Sequence, residues 1–273
     1  MKRTIFLLSI MLLHASIMSG QENIKSGIIQ FTSYESNSKS VIKWSSGQAY
    51  NGVRDIKIAF SENMSCRQDM SLKTRTIFCP EENTIKIVFD ELQRVLLFDY
   101  LCEPLMNTYS NSRWEYTINK TDDTKEILGF NCRRWDISFV GQSNNNLSIE
   151  AWVYEDAAVP DIYWTSALYG LKLPGIFLKY TVNQNSYAPF VGDLSSYMAA
   201  EAKSVDFENN EADIFSIPAD YETYDFRSEG ILGFGKAHKH YKANSKALKK
   251  AKKFPTNNID ESVRFDVDED WDF

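Results

Sequence analysis

Histidine is nearly absent from this chain. Only His14, His238 and His240 occur in 273 residues, so a Ser/His/Asp or Cys/His nucleophilic site has almost no raw material. Proline (7) and glycine (12) are sparse, which excludes collagen-like and low-complexity chains. The mean hydropathy of −0.37 excludes a polytopic helical membrane protein. Basic side chains number 30 against 37 acidic ones, a balance that speaks against nucleic-acid binding. Apolar and aromatic residues are plentiful at 43% and 14%. That excludes disorder and is enough to bury the core of one large domain or two small ones.

The first twenty residues stand apart. Lys2 and Arg3 precede an apolar run from Ile5 to Leu13, followed by Ser16, Ser19 and Gly20 and a polar stretch from Gln21. This is the pattern of a secretory signal peptide, residues 1–20, cut near Ser19 or Gly20. The run is too short for a stable spanning helix; an uncleaved anchor is the alternative. No Cys lies near the cut, so no lipid attachment site is expected.

Export changes the reading of the four cysteines. Cys66, Cys79, Cys102 and Cys132 are even in number, which in an oxidising compartment favours two disulfides over metal thiolates. Three pairings exist. The short Ser/Asn/Asp-bearing connection between Cys66 and Cys79 favours joining those two, leaving Cys102 with Cys132; free buried thiols are the competing state. The spacing lacks the CxxC pairs of zinc sites and thiol oxidoreductases.

Hydrophobic period decides the architecture. Trp114, Tyr116 and Ile118 alternate with Arg113, Glu115, Thr117 and Asn119, which puts the apolar groups on one face of a strand. The same period recurs at Ile56, Ile58 and Phe60, at Ile85, Ile87 and Phe89, and at Trp135, Ile137 and Phe139. It continues at Ile149, Ala151 and Val153, and at Ile176, Leu178, Tyr180 and Val182. Val95 to Phe98 is apolar on both sides and predicts a central strand covered on both faces. Turns are expected at 81–83, 120–123 and 141–146. Helical spacing is rare: Leu194, Tyr197 and Met198 predict a short amphipathic helix over 190–202. The stretch from Pro160 to Leu171 is apolar nearly all round, either a buried helix or a loop filling the concavity.

Four segments occur in an order that resembles the GLPGLI family of exported Gram-negative proteins and related domains of unknown function. They are 125–134 (KEILGFNCRR), 150–154 (EAWVY), 170–176 (GLKLPGI) and 215–221 (FSIPADY). Lys172 and Leu173 stand inside the family's Gly-Leu-Pro-Gly string. The resemblance spans roughly residues 110–222. It implies an exported protein with a sheet like that of periplasmic lipoprotein carriers, an incomplete barrel capped by helices, and no catalytic residues.

Other chemistry finds little support. His238-x-His240 lies in a lysine-rich stretch without further soft ligands. Gly230-x-x-Gly233-x-Gly235 has the wrong order for a dinucleotide loop. Asp220, Glu222 and Asp225 cluster after an Ile-Pro turn as in a solvated loop.

Charge is organised at the C-terminus. Residues 236–253 hold eight lysines and no acid, residues 260–273 carry a formal −6, and residues 21–235 carry −11. The basic block reads as a solvated linker, as a helix on an anionic membrane surface, or as a segment docked on the acidic body. In the tail, Val263, Phe265, Val267, Trp271 and Phe273 alternate with Asp266, Asp268, Asp270 and Asp272. As a strand it would add to an open sheet edge of this chain or of a partner; a disordered tail is the alternative. A calcium loop fails because Trp271 stands where Gly is required.

The expected fold is mainly β (α+β), a large curved antiparallel sheet or incomplete barrel with one or two short helices on its concave face. Its parts are a leader (1–20), a β-rich domain (24–230), a basic segment (236–253) and an acidic tail (260–273). The expected function is a non-enzymatic binding protein of the periplasm or outer-membrane surface. It would hold a hydrophobic or lipid-like ligand at Trp152, Tyr163, Trp164, Leu168, Leu173, Pro174 and Phe177, with no cofactor and no metal. The alternative is an assembly component whose C-terminal strand docks on an envelope protein.

Overall fold

The computed structural model describes residues 22–38, 51–99, 115–140, 146–166, 172–185, 187–188, 192–208 and 212–227, and positions 236, 239, 240, 242–244, 246 and 247. The leader, Cys102, Leu168, residues 141–145 and the 260–273 tail lie outside them.

Two-residue alternation becomes sheet throughout. The chain forms β1 (Glu22–Asn23), β2 (Gly27–Asn37), β3 (Gly52–Phe60), β4 (Ser65–Asp69), β5 (Thr74–Cys79), β6 (Thr84–Phe89) and β7 (Arg94–Asp99). There follow β8 (Glu115–Ile127), β9 (Phe130–Val140), β10 (Asn146–Tyr154), β11 (Ala157–Ala158) and the helix α1 (Asp161–Ser166). The last strands are β12 (Ile176–Asn185), β13 (Tyr187–Ala188), β14 (Gly192–Asp193), β15 (Ser196–Asp206) and β16 (Glu222–Asp225). Twelve strands make one sheet in the order β16-β7-β6-β5-β4-β3-β2-β15-β12-β10-β9-β8. Two meanders, one of β2 to β7 and one of β8, β9, β10 and β12, are joined by β15, which pairs antiparallel with β12 on one side and β2 on the other. The curved sheet does not close.

Directly paired residues share a face, so the register divides the side chains into two sets. On the inner face lie Ile137, Ile149, Ala151, Tyr180, Ala200, Phe31, Ile58 and Phe60, all buried. The same face continues through Ile87 and Leu96 to Tyr224. On the outer face of the β3–β7 half, Cys66, Ile77, Cys79, Val88 and Val95 form a second cluster with Ile214. This explains the doubly apolar run: Val95 and Leu96 are both buried, one on each face. The strand is second from the edge rather than central, because β16 adds to it in parallel.

Turns between β4 and β7 repeat one device. Lys73, Asn83 and Gln93 each take a left-handed conformation (φ 50°, 48° and 51°) at the last position of the turn. Only Asn83 is a residue type that favours it. The β8–β9 turn pairs Leu128 (φ 53°) with Gly129 (φ 84°), two consecutive left-handed residues as a tight two-residue hairpin requires.

Two expectations are overturned. Residues 120–123 are no turn: β8 runs through them, and the extra residues form a bulge where the β8–β9 register shifts between Lys120 and Thr124. The amphipathic helix over 190–202 is instead largely β15. Ladders on both edges outweigh a helical spacing of three apolar residues, and the inner side alternates as Met198, Ala200 and Ala202.

Candidate functional site

The inner face is organised around aromatic rings. The helix α1 packs chiefly across β3, β4 and β5 and sets Tyr163 against Phe60 (centroids 5.1 Å) and Phe177 (5.7 Å). Trp164 meets Tyr163 at 4.9 Å and Phe177 at 6.0 Å. Phe177 continues to Tyr180 at 5.0 Å and Phe31 at 5.5 Å. Each such pair adds about 0.5–1.5 kcal/mol beyond its buried area. Burial holds the Tyr163 phenol well above its ordinary pKa, so it stays neutral.

The residues predicted to line a ligand site are therefore divided. Tyr163, Trp164, Leu173 and Phe177 come together and are buried. Pro174 is exposed. Trp152 lies on the outer face, opposite Lys179 and Arg134, and its indole N–H donates to Glu150 at 2.9 Å. Leu168 is outside the described residues. The Gly-Leu-Lys-Leu-Pro-Gly-Ile segment has a backbone reason of its own: Gly175 has φ 109°, and a Cβ there would lie 2.0 Å from the Tyr154 carbonyl oxygen. Only glycine fits between α1 and β12 at this point.

Beyond α1 the inner face carries a half-buried apolar strip that the sequence did not single out. Trp135, Phe139, Leu147 and Met198 extend the core toward β8, where Ile118 is 36% exposed. Its rim is polar. Trp135 donates its indole N–H to Glu155 at 2.8 Å, and Glu155 also pairs with Lys120 at 2.7 Å. Farther along the same face Arg54 pairs with Asp69 at 2.9 Å and with Glu35. The alternation of strands β8 to β15 contained this strip, but period alone does not say which half of a sheet its helix leaves bare.

The other motifs hold the fold together. Arg75, 8% exposed at its side chain, makes two bonds to Asp90 (2.9 and 2.7 Å) and donates to the carbonyls of Ile214 (2.8 Å) and Ser216 (2.9 Å). This clamp seats the Phe-Ser-Ile-Pro-Ala-Asp-Tyr segment on the outer face, where Phe215, Ile217 and Tyr221 pack on the second cluster. The neighbouring carboxylates are tied individually. Glu222 pairs with Arg94 at 3.0 Å, and hydrogen bonds from Tyr224 and then Arg94 hold it below the usual carboxylate range. Asp225 pairs with Arg227 at 2.6 Å, which lowers it likewise.

No bridge joins Cys66 to Cys79. Cys66, Cys79 and Cys132 are buried free thiols. Cys66 stands opposite Ile77, so Cys79 is its diagonal neighbour, and diagonal positions lie about 7–8 Å apart, beyond disulfide reach. Cys132 donates to the Phe130 carbonyl at 3.6 Å; its predicted partner Cys102 lies outside the described residues. Burial pushes Cys66 and Cys132 up to about 12.

Every described position between 236 and 247 is helical. His240 rests on Tyr224 (centroids 4.6 Å) and Phe226 (5.6 Å), and Arg94 donates to the Asn244 side-chain oxygen at 3.0 Å. Asn244 is 2% exposed. The basic segment is docked on the inner face at the β16 end, so among the described residues the linker reading does not hold. Those residues contain no helix long and apolar enough to cross a membrane and no group of three or more His, Cys, Asp or Glu placed to hold a metal ion.

No family model and no curated protein matches the chain, so its likeness to the GLPGLI family rests on the four motifs alone. Among solved structures, the chain is similar to an outer membrane lipoprotein-sorting protein domain from Vibrio parahaemolyticus. That match has 8% identity and a TM-score of 0.29, covering 74% of this chain and 94% of that one.

Proposed function

We propose that this protein is an exported, non-enzymatic binding protein of the cell envelope that holds a hydrophobic or lipid-like ligand on the inner face of its curved sheet. One observation carries the reading: the half-buried strip of Trp135, Phe139, Leu147 and Met198, which continues the aromatic core past α1 and reaches the exposed Ile118 at the sheet edge. An apolar surface with a polar rim is the usual form of a site for an amphipathic molecule. Tyr163, Trp164, Leu173 and Phe177 belong to the same buried cluster that backs it. Native mass spectrometry and lipid extraction of protein purified from its own envelope test this. An acyl-bearing ligand should co-purify, and Leu147→Glu should release it while the fold survives. A protein that carries no apolar molecule and takes up none overturns the reading.

A second reading is favoured by β8, which ends the twelve-stranded sheet with no further described strand beyond it. An edge of this kind accepts an added strand, and Val263, Phe265, Val267, Trp271 and Phe273 have the pattern to supply one to a partner. Deleting residues 255–273 should then abolish co-purification of an envelope partner; unchanged co-purification removes this reading.

A further inference from the structure

The described positions of the basic segment are helical and held against the sheet, and this fixes the side on which Lys239, Lys242 and Lys246 lie. At 3.6 residues per turn, His240, Asn244 and Ala247 share one face, the one held against Tyr224, Phe226 and Arg94. Lys239, Lys242 and Lys246 fall on the side turned away and are all exposed. No acid occurs between positions 236 and 253, and the sequence places further lysines at 249, 250, 252 and 253. The rest of the mature chain up to residue 235 carries −11. The lysine face thus stands opposite in sign to the net charge of the body, and a negatively charged surface attracts the protein by that face.

We propose that the outward face carrying Lys239, Lys242 and Lys246 is a contact surface for an anionic phospholipid bilayer. The helix does not need to insert, since the side carrying His240 and Asn244 is occupied by the sheet; the attraction is electrostatic, between ammonium groups and lipid phosphates. The anchoring through Asn244 and His240 gives the contact a fixed orientation. It presents the inner-face side of the β16 end to the membrane and keeps the outer-face segment 212–221 away from it.

The test uses the mature full-length chain and vesicles of phosphatidylglycerol and phosphatidylcholine. Binding to phosphatidylglycerol-rich vesicles is expected at low salt, with little to phosphatidylcholine alone and loss as ionic strength rises. Each lysine near such a surface contributes about fivefold. Combined Lys239→Gln, Lys242→Gln and Lys246→Gln substitutions should thus weaken binding about a hundredfold. The three corresponding Arg substitutions should retain it, with circular dichroism unchanged in both variants. An environment-sensitive label at Ala243→Cys should respond to the vesicles and one at Ser216→Cys should not. Equal binding to neutral vesicles, full binding by the Gln variant, or a response at position 216 instead of 243 overturns the proposal. So does binding to a soluble polyanion without binding to the vesicles.

Discussion

Replacing Arg75 with Met should destabilise the domain out of proportion to the one side chain lost. The guanidinium spends four hydrogen bonds in a nearly buried position, two on the Asp90 carboxylate and two on the carbonyls of Ile214 and Ser216. Methionine fills much of the volume but leaves Asp90, 24% exposed at its side chain, as an unpaired charge beside an apolar cluster. Removing one partner of such a pair costs about 3–5 kcal/mol. With a urea slope of about 2–3 kcal/mol per molar, the unfolding midpoint should fall by about 1.5 M. Adding Asp90→Asn to Arg75→Met should restore part of the loss, because the stranded charge is gone; a coupling of about 1–3 kcal/mol is expected. Hydrogen exchange should show amides of 212–226 losing protection before those of β9 and β10. A midpoint shift below about 0.4 M, equivalent to about 1 kcal/mol, or strict additivity of the two substitutions, would refute the clamp.

Three further outcomes are expected of the same domain. Gly175→Ala should prevent folding or cost several times more than Gly129→Ala, since only the first meets backbone, at 2.0 Å, whereas the second has φ 84° with open space around it; comparing soluble yield and unfolding midpoints checks this. Native Cys66 and Cys132 should resist a thiol reagent at pH 8 and react only on unfolding, read peptide by peptide by mass spectrometry; rapid labelling of either in the folded protein would contradict their burial. Because burial raises both thiols from 9.0 to about 12, folding keeps them protonated. Their contribution is complete below pH 9 and is lost as pH rises toward 12, so urea midpoints should decline over that window, and less steeply in a Cys66→Ala, Cys132→Ala variant.

Much of the sheet was legible because half-buried strands write their burial as a period of two. Ile137, Ile149 and Ala151 alternate in sequence and share the inner face in the structure. What failed was local evidence that tertiary contacts override. Leu194, Tyr197 and Met198 have helical spacing, yet β2 and β12 recruit that stretch as a strand. Lys73 and Gln93 close tight turns in left-handed conformations without glycine, so those turns carried no signal. The four cysteines suggested bridges by number, but the register puts Cys66 and Cys79 on a diagonal. Arg75 was invisible for a different reason. A lone arginine in a strand looks like a solvated position, and only the fold brings Asp90 and the 214–216 carbonyls to it. Of the candidate ligand residues, the Tyr163, Trp164 and Phe177 group was readable as one apolar block. Trp152 was separable from it, because the alternation of Ile149, Ala151 and Val153 already puts Trp152 on the opposite face of its strand, where the register places it.

The junction of β2 with β15 sets the order of assembly. Strands β3 to β7 can pair through short turns, and β2 across the longer 38–51 connection, as the first half of the chain emerges, and β8 to β10 through theirs. Neither meander can present a finished inner face until β15, from late in the chain, slides between β12 and β2. Until then two long edges lie open, with Phe31 on one side and Phe177 and Tyr180 on the other still unpacked. Closing contacts so distant in sequence is slow, and unpaired edges invite pairing with other chains. This one seam is therefore where the folding chain stays open to pairing with other chains the longest.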